Sequence, residues 1–276
     1  LAPRHKNAFD GIVRQFADLG YNVSHTLLNA NDYGVPQDRK RVIIVGYRND
    51  MGKTFVPPDP LLLKPTLKDA IGDLPTPRPA LEMNVANGES CLDIPNHEYF
   101  TGGFSTIYMS RNRVRSWDEP SFTIQAGARH APIHPNAPKM VRVKVGWEVE
   151  GGKSLKAPRF KTKAEGMLWL KKRNKKWVSL KEAYEKDKRV FVKGKEKSYR
   201  RLSIRECARV QTFPDDFIFK YDRTGDGYKM IGNAVPVEFA RYLARQISRD
   251  IKSFLKKDTP SKKKRKTKKR VVQLSS

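Results

Sequence analysis

The chain has 276 residues, 38% of them hydrophobic and 10% aromatic, which excludes a wholly disordered chain and allows one large core or two modest ones. Its formal net charge of +27, from 56 Lys and Arg against 29 Asp and Glu, points to a polyanionic partner, for which nucleic acid is the usual case. No apolar run approaches the roughly 18 residues needed to cross a bilayer, and no signal peptide is visible, so the sequence offers no membrane partner.

Residues 5–19 space Phe9, Ile12, Val13, Phe16 and Leu19 at intervals of three and four. This predicts an amphipathic helix, ended by Gly20. VSHTLLN (23–29), the turn-rich ANDYGVPQD (30–38) and RVIIVGYR (41–48) predict a β-hairpin or a close strand pair. A helix followed by an apolar strand is the tail of an α/β unit. Residues 54–79 hold seven prolines and read as a linker with one short helical stretch, LKDAIGDL (67–74). Residues 80–145 are short polar and β-rich pieces with many turns, which predicts a second, irregular, β-containing domain. Residues 146–198 are Lys-rich, with Trp147, Trp169 and Trp177, and a helix is expected near 179–188. Ser203 followed by Glu206 three positions later predicts a capping box on a helix over 203–212. Residues 236–255 predict a helix with Pro236 in its first turn. The polar, basic tail from Pro260 is expected to be disordered.

The charge is unevenly placed. Residues 139–201 hold 22 basic and 7 acidic side chains, and residues 256–276 hold 10 and 1. Together they account for 24 of the 27 charges, so the rest of the chain is nearly balanced. A DNA role within residues 1–138 must therefore rest on particular side chains. Cys91 and Cys207 lie outside any CxxC or Cys/His cluster, so no metal site is expected, and their separation gives little ground for a disulfide.

Three stretches carry a more specific signal. Gln37-Asp38-Arg39-Lys40-Arg41 leads straight into VIIVGYR. RRLSIRECARVQTFPDDF occupies 200–217, and YKMIGNAVPVEFARYLA occupies 228–244. In this order they resemble the QxRxR element, the RxLxxRExxRxQxFPD block and the GNSV/GNAV segment of the DNA cytosine-5 methyltransferases. The resemblance covers nearly the whole chain to about Phe254. It is nearest to the bacterial type II restriction-modification enzymes that methylate GGCC, whose recognition domain 104–135 is similar to. The Lys-rich stretch and the basic tail are extra relative to compact members. The family's FxGxG, Pro-Cys-Gln and Glu-Asn-Val elements do not occur here, and Leu1–His5 corresponds to the segment just after the last of them. The enzyme is therefore expected to extend upstream of Leu1 or to pair with a second polypeptide carrying those elements.

The resemblance implies an α/β fold: the C-terminal part of a Rossmann-like methyltransferase domain plus a smaller β-rich target-recognition domain. Residues 1–55 would be the partial catalytic domain. Residues 56–213 would be the recognition domain, with the Lys-rich insertion at about 146–198. Residues 214–255 would return to the catalytic domain, and 256–276 would be the tail. The implied reaction transfers a methyl group from S-adenosylmethionine to C5 of a cytosine flipped out of double-stranded DNA. A thiolate from the missing loop would add at C6. Arg41 would then stabilise negative charge at cytosine O2. Arg39 would brace the catalytic loop or a phosphate, Gln37 the local hairpin. Two positions apart on a strand, Arg39 and Arg41 would share a face.

Arg111, Arg113 and Arg115 alternate, and Arg129 follows. Arginine is the usual bidentate partner of guanine O6 and N7. The resemblance makes Arg111, Arg113 and Arg129 the expected base readers and Arg115 a phosphate contact. Ile107 is either a wedge in the gap left by the flipped base or a core residue of a strand. Asn233, Ala234 and Val235 would contact the cofactor, with backbone amides holding its carboxylate near the start of the last helix. Cys207 sits mid-helix and Cys91 in a Gly/Ser turn, so neither is assigned as nucleophile. The Lys-rich stretch reads as non-specific phosphate attraction or a solvated insert. PSKKKRKTKK (260–269) reads as a nuclear localisation signal or a DNA-gripping tail, and the expected compartment is the bacterial cytoplasm, or the nucleus if the tail is such a signal. Two rivals remain: a catalytically inactive DNA-binding or regulatory protein that kept the recognition domain, and a ribosomal-type RNA binder, which fits the charge but not the three ordered motifs.

Overall fold

The computed structural model describes residues 6–104, 112–142, 147–149, 153–155, 168–169, 171–172 and 189–258. The main elements in chain order are α1 (Lys6–Asp18), β1 (Tyr21–Asn29), β2 (Gln37–Asp38), β3 (Lys40–Arg48), α2 (Leu67–Ile71), β4 (Arg78–Pro79), β5 (Glu98–Tyr99), β6 (Ser121–Phe122), α3 (Ile204–Val210), α4 (Thr224–Asn233) and α5 (Val237–Asp258). They form two compact units. The smaller takes in Leu1–Thr26, Val42–Pro58 and Tyr242–Ser276, the larger Leu27–Arg41 and Asp59–Arg241. The helix expected near 179–188 and the basic tail from 259 lie outside the described residues.

In the smaller unit the helix–strand order follows the sequence pattern. α1 ends at Gly20, whose φ of 84° is open to glycine without strain, and β1 starts at once. β1 pairs with β3 in a two-stranded sheet. Tyr47 and Phe55 are buried and meet edge to face. The Tyr47 hydroxyl donates to Asp250 Oδ2 at 2.7 Å, and Lys53 Nζ donates to the Asp250 carbonyl at 3.0 Å. Burial and the Asp250 carboxylate push the Tyr47 hydroxyl's pKa up. One part of the expected amphipathic burial is not met: Ile12, Phe16, Val42 and Ile44 remain 37–45% exposed. On β3 the exposed Val42 and Ile44 alternate with the half-buried Ile43 and Val45, so one strand face is open and apolar.

The larger unit holds the main core. Leu67 and Ile71 of α2 pack with Ile204, Cys207, Ala208 and Val210 of α3, and with Tyr228 and Ile231 of α4. A second cluster gathers Val114, Ile133, Ala137, Met140 and Tyr199. Between these helices the sheet pieces are very short. β2 runs parallel to β6, with Gln37 opposite Ser121, and β4 runs parallel to β5. Val141–Arg142 pairs with Arg189–Val190, and Trp147–Val149 with Lys153–Leu155, both antiparallel.

Helix caps follow the sequence closely. Ser203 Oγ accepts from the Glu206 amide at 3.0 Å, while Glu206 Oε2 accepts from the Ser203 amide at 2.6 Å. Thr66 and Asp69 make the same box on α2. Residues 224–233, for which the sequence pattern predicted no element, form the helix α4. Its glycines do not loosen it: a Cβ on Gly227 would come within 2.7 Å of Ile204 Cδ1, so that glycine is there for close helix packing.

The charged residues of the 200–217 block are structural. Arg200 makes a bidentate pair with Glu206 at 2.8 Å through both nitrogens, and Glu206 is 1% exposed. Arg205 is fully buried and donates to the carbonyls of Pro95, Pro214 and Phe217 at 3.0–3.2 Å. Arg209 bridges Asp73 and Asp215. His134 Nε2 lies 3.7 Å from Glu206, and His97 Nδ1 lies 2.9 Å from Ser203 Oγ. Burial holds both histidines below the ordinary imidazole range, His134 down to about 4, although the Glu206 charge opposes this. Burial also pushes the Glu206 carboxyl up, but the Arg200 guanidinium outweighs it and the group stays ionised.

A depressed histidine pKa means the unfolded chain takes up protons first as pH falls. The unfolding free energy should therefore drop progressively from about pH 6.5 towards about pH 4. Urea unfolding midpoints at pH 7, 6 and 5 check this: they should decrease in that order, and His134→Gln should flatten the decrease.

Candidate functional site

Four segments distant in sequence meet within the larger unit around one buried guanidinium. β2 is held beside β6 by Gln37, whose Oε1 accepts from the Ile124 amide at 3.0 Å, and by Thr123, whose hydroxyl donates to the Asp38 carbonyl. Gln37 is fully buried, so it fixes this strand pair rather than a local hairpin. Arg39 follows and is 5% exposed. Its Nη1 donates to the Ile124 carbonyl at 3.1 Å, and its Nη2 to the carbonyls of Gly232 and Ala234 at 3.0 and 3.2 Å. Its amide donates to Asn29 Oδ1 at 2.9 Å. Burial, with the nearby Arg41 charge, pulls its pKa down to about 10, so it stays protonated at neutral pH.

This corrects two expectations. Arg39 braces backbone carbonyls of its own chain rather than a phosphate, because it is buried at 5% exposure and three of its five donors are engaged by those carbonyls; the catalytic loop of the expectation is not in this chain. Arg39 and Arg41 also do not share an environment: Arg39, between β2 and β3, is buried, whereas Arg41 on β3 is exposed. Arg41 is exposed, and its Nη1 donates only as far as the Lys40 carbonyl at 2.7 Å. One arginine of the pair is a clamp and the other is available to a ligand.

The turn after α4 is fixed from three sides. A Cβ on Gly232 would lie 2.4 Å from the Gln125 carbonyl carbon and the Ala126 amide, so backbone meets backbone there. Gln211 Nε2 donates to the Ile231 carbonyl, and the Gln211 carbonyl accepts from the Val237 amide at 3.1 Å. Thr212, in the left-handed region at φ 60°, turns its hydroxyl to accept from the Glu238 amide at 2.9 Å. The first amides of α5 are thus already taken, Pro236 has none, and Glu238 adds a negative charge in the first turn. The C-terminal, carbonyl-rich end of α4 faces the same turn. The Val237 and Glu238 amides are therefore engaged within the chain. Asn233 and Val235 are nevertheless exposed, the latter at 60%, and offer one neutral amide and one apolar side chain.

The expected base readers separate. Arg111 and Ile107 lie outside the described residues. Arg113 is half-buried, next to the buried Val114. Arg129 is exposed on a 3-10 turn, Ala128–His130, with Nε 3.4 Å from the Gly103 carbonyl. Arg115 is not placed for phosphate. It pairs with Asp38 and Glu119, both at 3.0 Å, and lies 4.2 Å over the Phe122 ring. Two carboxylates satisfy its charge, and it ties β2 to the segment that carries Arg113. The Arg115, Ser116 and backbone bonds hold Glu119 well below the usual carboxylate range, at about 2. Cys207 is fully buried and its thiol is pushed well above its ordinary range by burial, which removes it as a nucleophile; Cys91 is exposed. The sequence reading missed the partner of Gly232 and missed Asn29 as the residue capping the 3-10 turn after β1. The signal for the first was present in the GNAV motif, but its partner, Gln125, lies over a hundred positions away.

The sequence matches the family model for C-5 cytosine-specific DNA methylases over residues 1–249. It is 53% identical to the type II methyltransferase M.MthTI of Methanothermobacter thermautotrophicus, across 91% of this chain and 63% of that protein. It is 41% identical to M.FnuDI of Fusobacterium nucleatum, across 95% of this chain and 66% of that protein. The chain thus spans about two thirds of the length of these relatives. Among solved structures it is similar to a DNA modification methyltransferase encoded within an E. coli prophage, with a TM-score of 0.50 and 16% identity, over 91% of this chain and 67% of that one. This likeness is one of fold. Among the described residues no helix is long and apolar enough to cross a membrane.

Arg39→Ala leaves three buried carbonyls without their donor and should destabilise the chain by about 2–4 kcal/mol. Arg39→Lys should restore little, since one ammonium does not reproduce the fork. Arg41→Ala should change stability by less than about 0.5 kcal/mol. Urea denaturation of the three variants checks the contrast.

Proposed function

The chain belongs to the C-5 cytosine-specific DNA methylase family, and we propose that it is the DNA-reading and charge-stabilising part of an enzyme that methylates cytosine C5 in a GGCC-like site of double-stranded DNA. The observation that carries this reading is the meeting of the three motif segments. Arg39 hydrogen-bonds the GNAV turn, Gln211 of the 200–217 block hydrogen-bonds the same turn, and Arg41 is left exposed. An exposed, permanently charged guanidinium beside a rigid support is suited to a ring oxygen on which negative charge develops. In this reading Arg113 and Arg129, with Arg111, read guanines, and residues 56–213 act as the recognition domain.

S-adenosylmethionine, the methyl donor of this family, supplies an electrophilic sulfonium methyl when bound. The exposed Asn233 amide and Val235 side chain fit a polar and an apolar part of such a molecule, and Ala234 lies between them. The attacking thiolate comes from neither Cys91 nor Cys207, so we assign it to sequence upstream of Leu1 or to a second polypeptide. The open apolar face of α1 and β3 in the smaller unit supports this reading, because a two-stranded sheet is rarely stable without further cover. The type II relatives make the bacterial cytoplasm the natural setting. A second reading, DNA binding without methyl transfer, is favoured only by the burial of Cys207.

Incorporation of tritiated methyl groups into a GGCC duplex tests the proposal. The chain alone should give none, and the chain mixed with a polypeptide carrying a Pro-Cys-Gln loop should turn over. Robust turnover by the chain alone would sink the borrowed thiolate, and failure to bind any duplex would sink the DNA reading. In the active mixture Arg41→Ala should lower kcat by about 10²–10³-fold with little change in DNA affinity. Arg113→Ala should instead relax sequence preference, by about 1–3 kcal/mol of discrimination at one base.

A further inference from the structure

A cleft of about 330 Å³ opens between the segment 99–104 and the segment 197–201 of the larger unit. Its wall is aromatic, with Tyr99, Phe100, Phe104 and Tyr199, and its polar groups are basic, with Lys197 at an exposed position and Arg201 buried. No acidic side chain lines it. Arg201 lies 3.8 Å over the Phe104 ring and donates to the carbonyls of Phe100 and Gly103 at 3.2 and 3.1 Å. These carbonyls and the ring fix the orientation of the guanidinium in the wall. Arg200, the third cation on the lining, is neutralised by its bidentate pair with Glu206. The cleft also adjoins an expected base reader: the Gly103 carbonyl that accepts from Arg201 accepts from Arg129 Nε at 3.4 Å.

From this we infer a second DNA contact: the cleft holds one sugar–phosphate unit of the bound duplex beside the recognised bases, with the phosphate towards Lys197 and the deoxyribose against the aromatic wall. The inference rests on the DNA-reading proposal above and adds a site to it. Bases stacked within a duplex present no face to such a wall, whereas the backbone presents both an anion and an apolar sugar edge. Such a contact sets register and adds affinity without reading sequence. It also gives Arg129 a fixed lever, since both act through the Gly103 carbonyl.

Two variants test it without disturbing the core. A Cβ on Gly103 meets nothing within 4 Å, so Gly103→Leu fills the cleft from its rim. Lys197→Ala removes an exposed cation. Binding of the full chain to fluorescein-labelled GGCC and scrambled duplexes would be followed by anisotropy at several salt concentrations, with urea midpoints as a folding control. Gly103→Leu should weaken binding to both duplexes by the same factor, about tenfold, within the range of losses when nucleotide contacts on aromatic platforms are removed. Lys197→Ala should lower the magnitude of the slope of log K against log salt by about 1. Wild-type affinity and slope in both variants would overturn the cleft contact while leaving the DNA reading intact. A loss confined to the GGCC duplex would overturn the backbone assignment in favour of a base contact. If the unaltered chain binds neither duplex, the DNA reading and the cleft contact fall together.

Discussion

A buried guanidinium organises the larger unit. Arg39 is held by three backbone carbonyls, from Ile124, Gly232 and Ala234, and by no carboxylate among the described residues. Carbonyl dipoles in a low-dielectric setting can hold a charge only if they are fixed in place, and each here is fixed by something else. Gln37 and Thr123 pin the strand pair next to Ile124, and Gly232 presses its backbone on Gln125. Gln211 grips Ile231. The arrangement is mutual: the charge needs the fixed dipoles, and the chain segments need the charge to stay together. It also explains the split between two arginines that stand two positions apart. Burial of one leaves its neighbour outside, on a strand that cannot easily shift.

The helices were legible because their signals are local. Three- and four-residue spacing predicts α1, and a serine with a glutamate three positions on predicts the start of α3 to the residue. α4 was not predicted because its three glycines weaken a helical pattern, whereas Gly227 and Gly232 answer to neighbours at a distance that no window of sequence contains. The same limit governs the candidate site. The QxRxR and GNAV residues stood out as motifs, but the roles divided only in three dimensions. Arg39 became a clamp, Gln37 a strand brace, and Arg115 a tie between Asp38 and Glu119. Side-chain type alone does not say whether an arginine finds a partner within its own chain.

The charge balance of the sequence takes on a different meaning once burial is known. The 200–217 block is rich in arginine, yet Arg200, Arg205 and Arg209 are all engaged with carboxylates or carbonyls. Their side chains are committed to the fold, and Arg205 is fully buried. Arg41, Lys197 and Arg129, by contrast, are exposed. Exposure, not the number of basic residues in a segment, decides which of the described cations can act on a partner.

The Arg39 clamp and the exposed cations also answer differently to the surrounding medium. Dissolved ions at about 0.15 M screen exposed charges beyond roughly 8 Å, but they do not reach a guanidinium sealed among backbone dipoles. Raising ionic strength therefore acts on one layer of the molecule only. Any attraction between the exposed cations and a polyanion fades while the internal scaffold keeps its shape, so a polyanion held by those cations alone would be released by brine from a chain that stays folded.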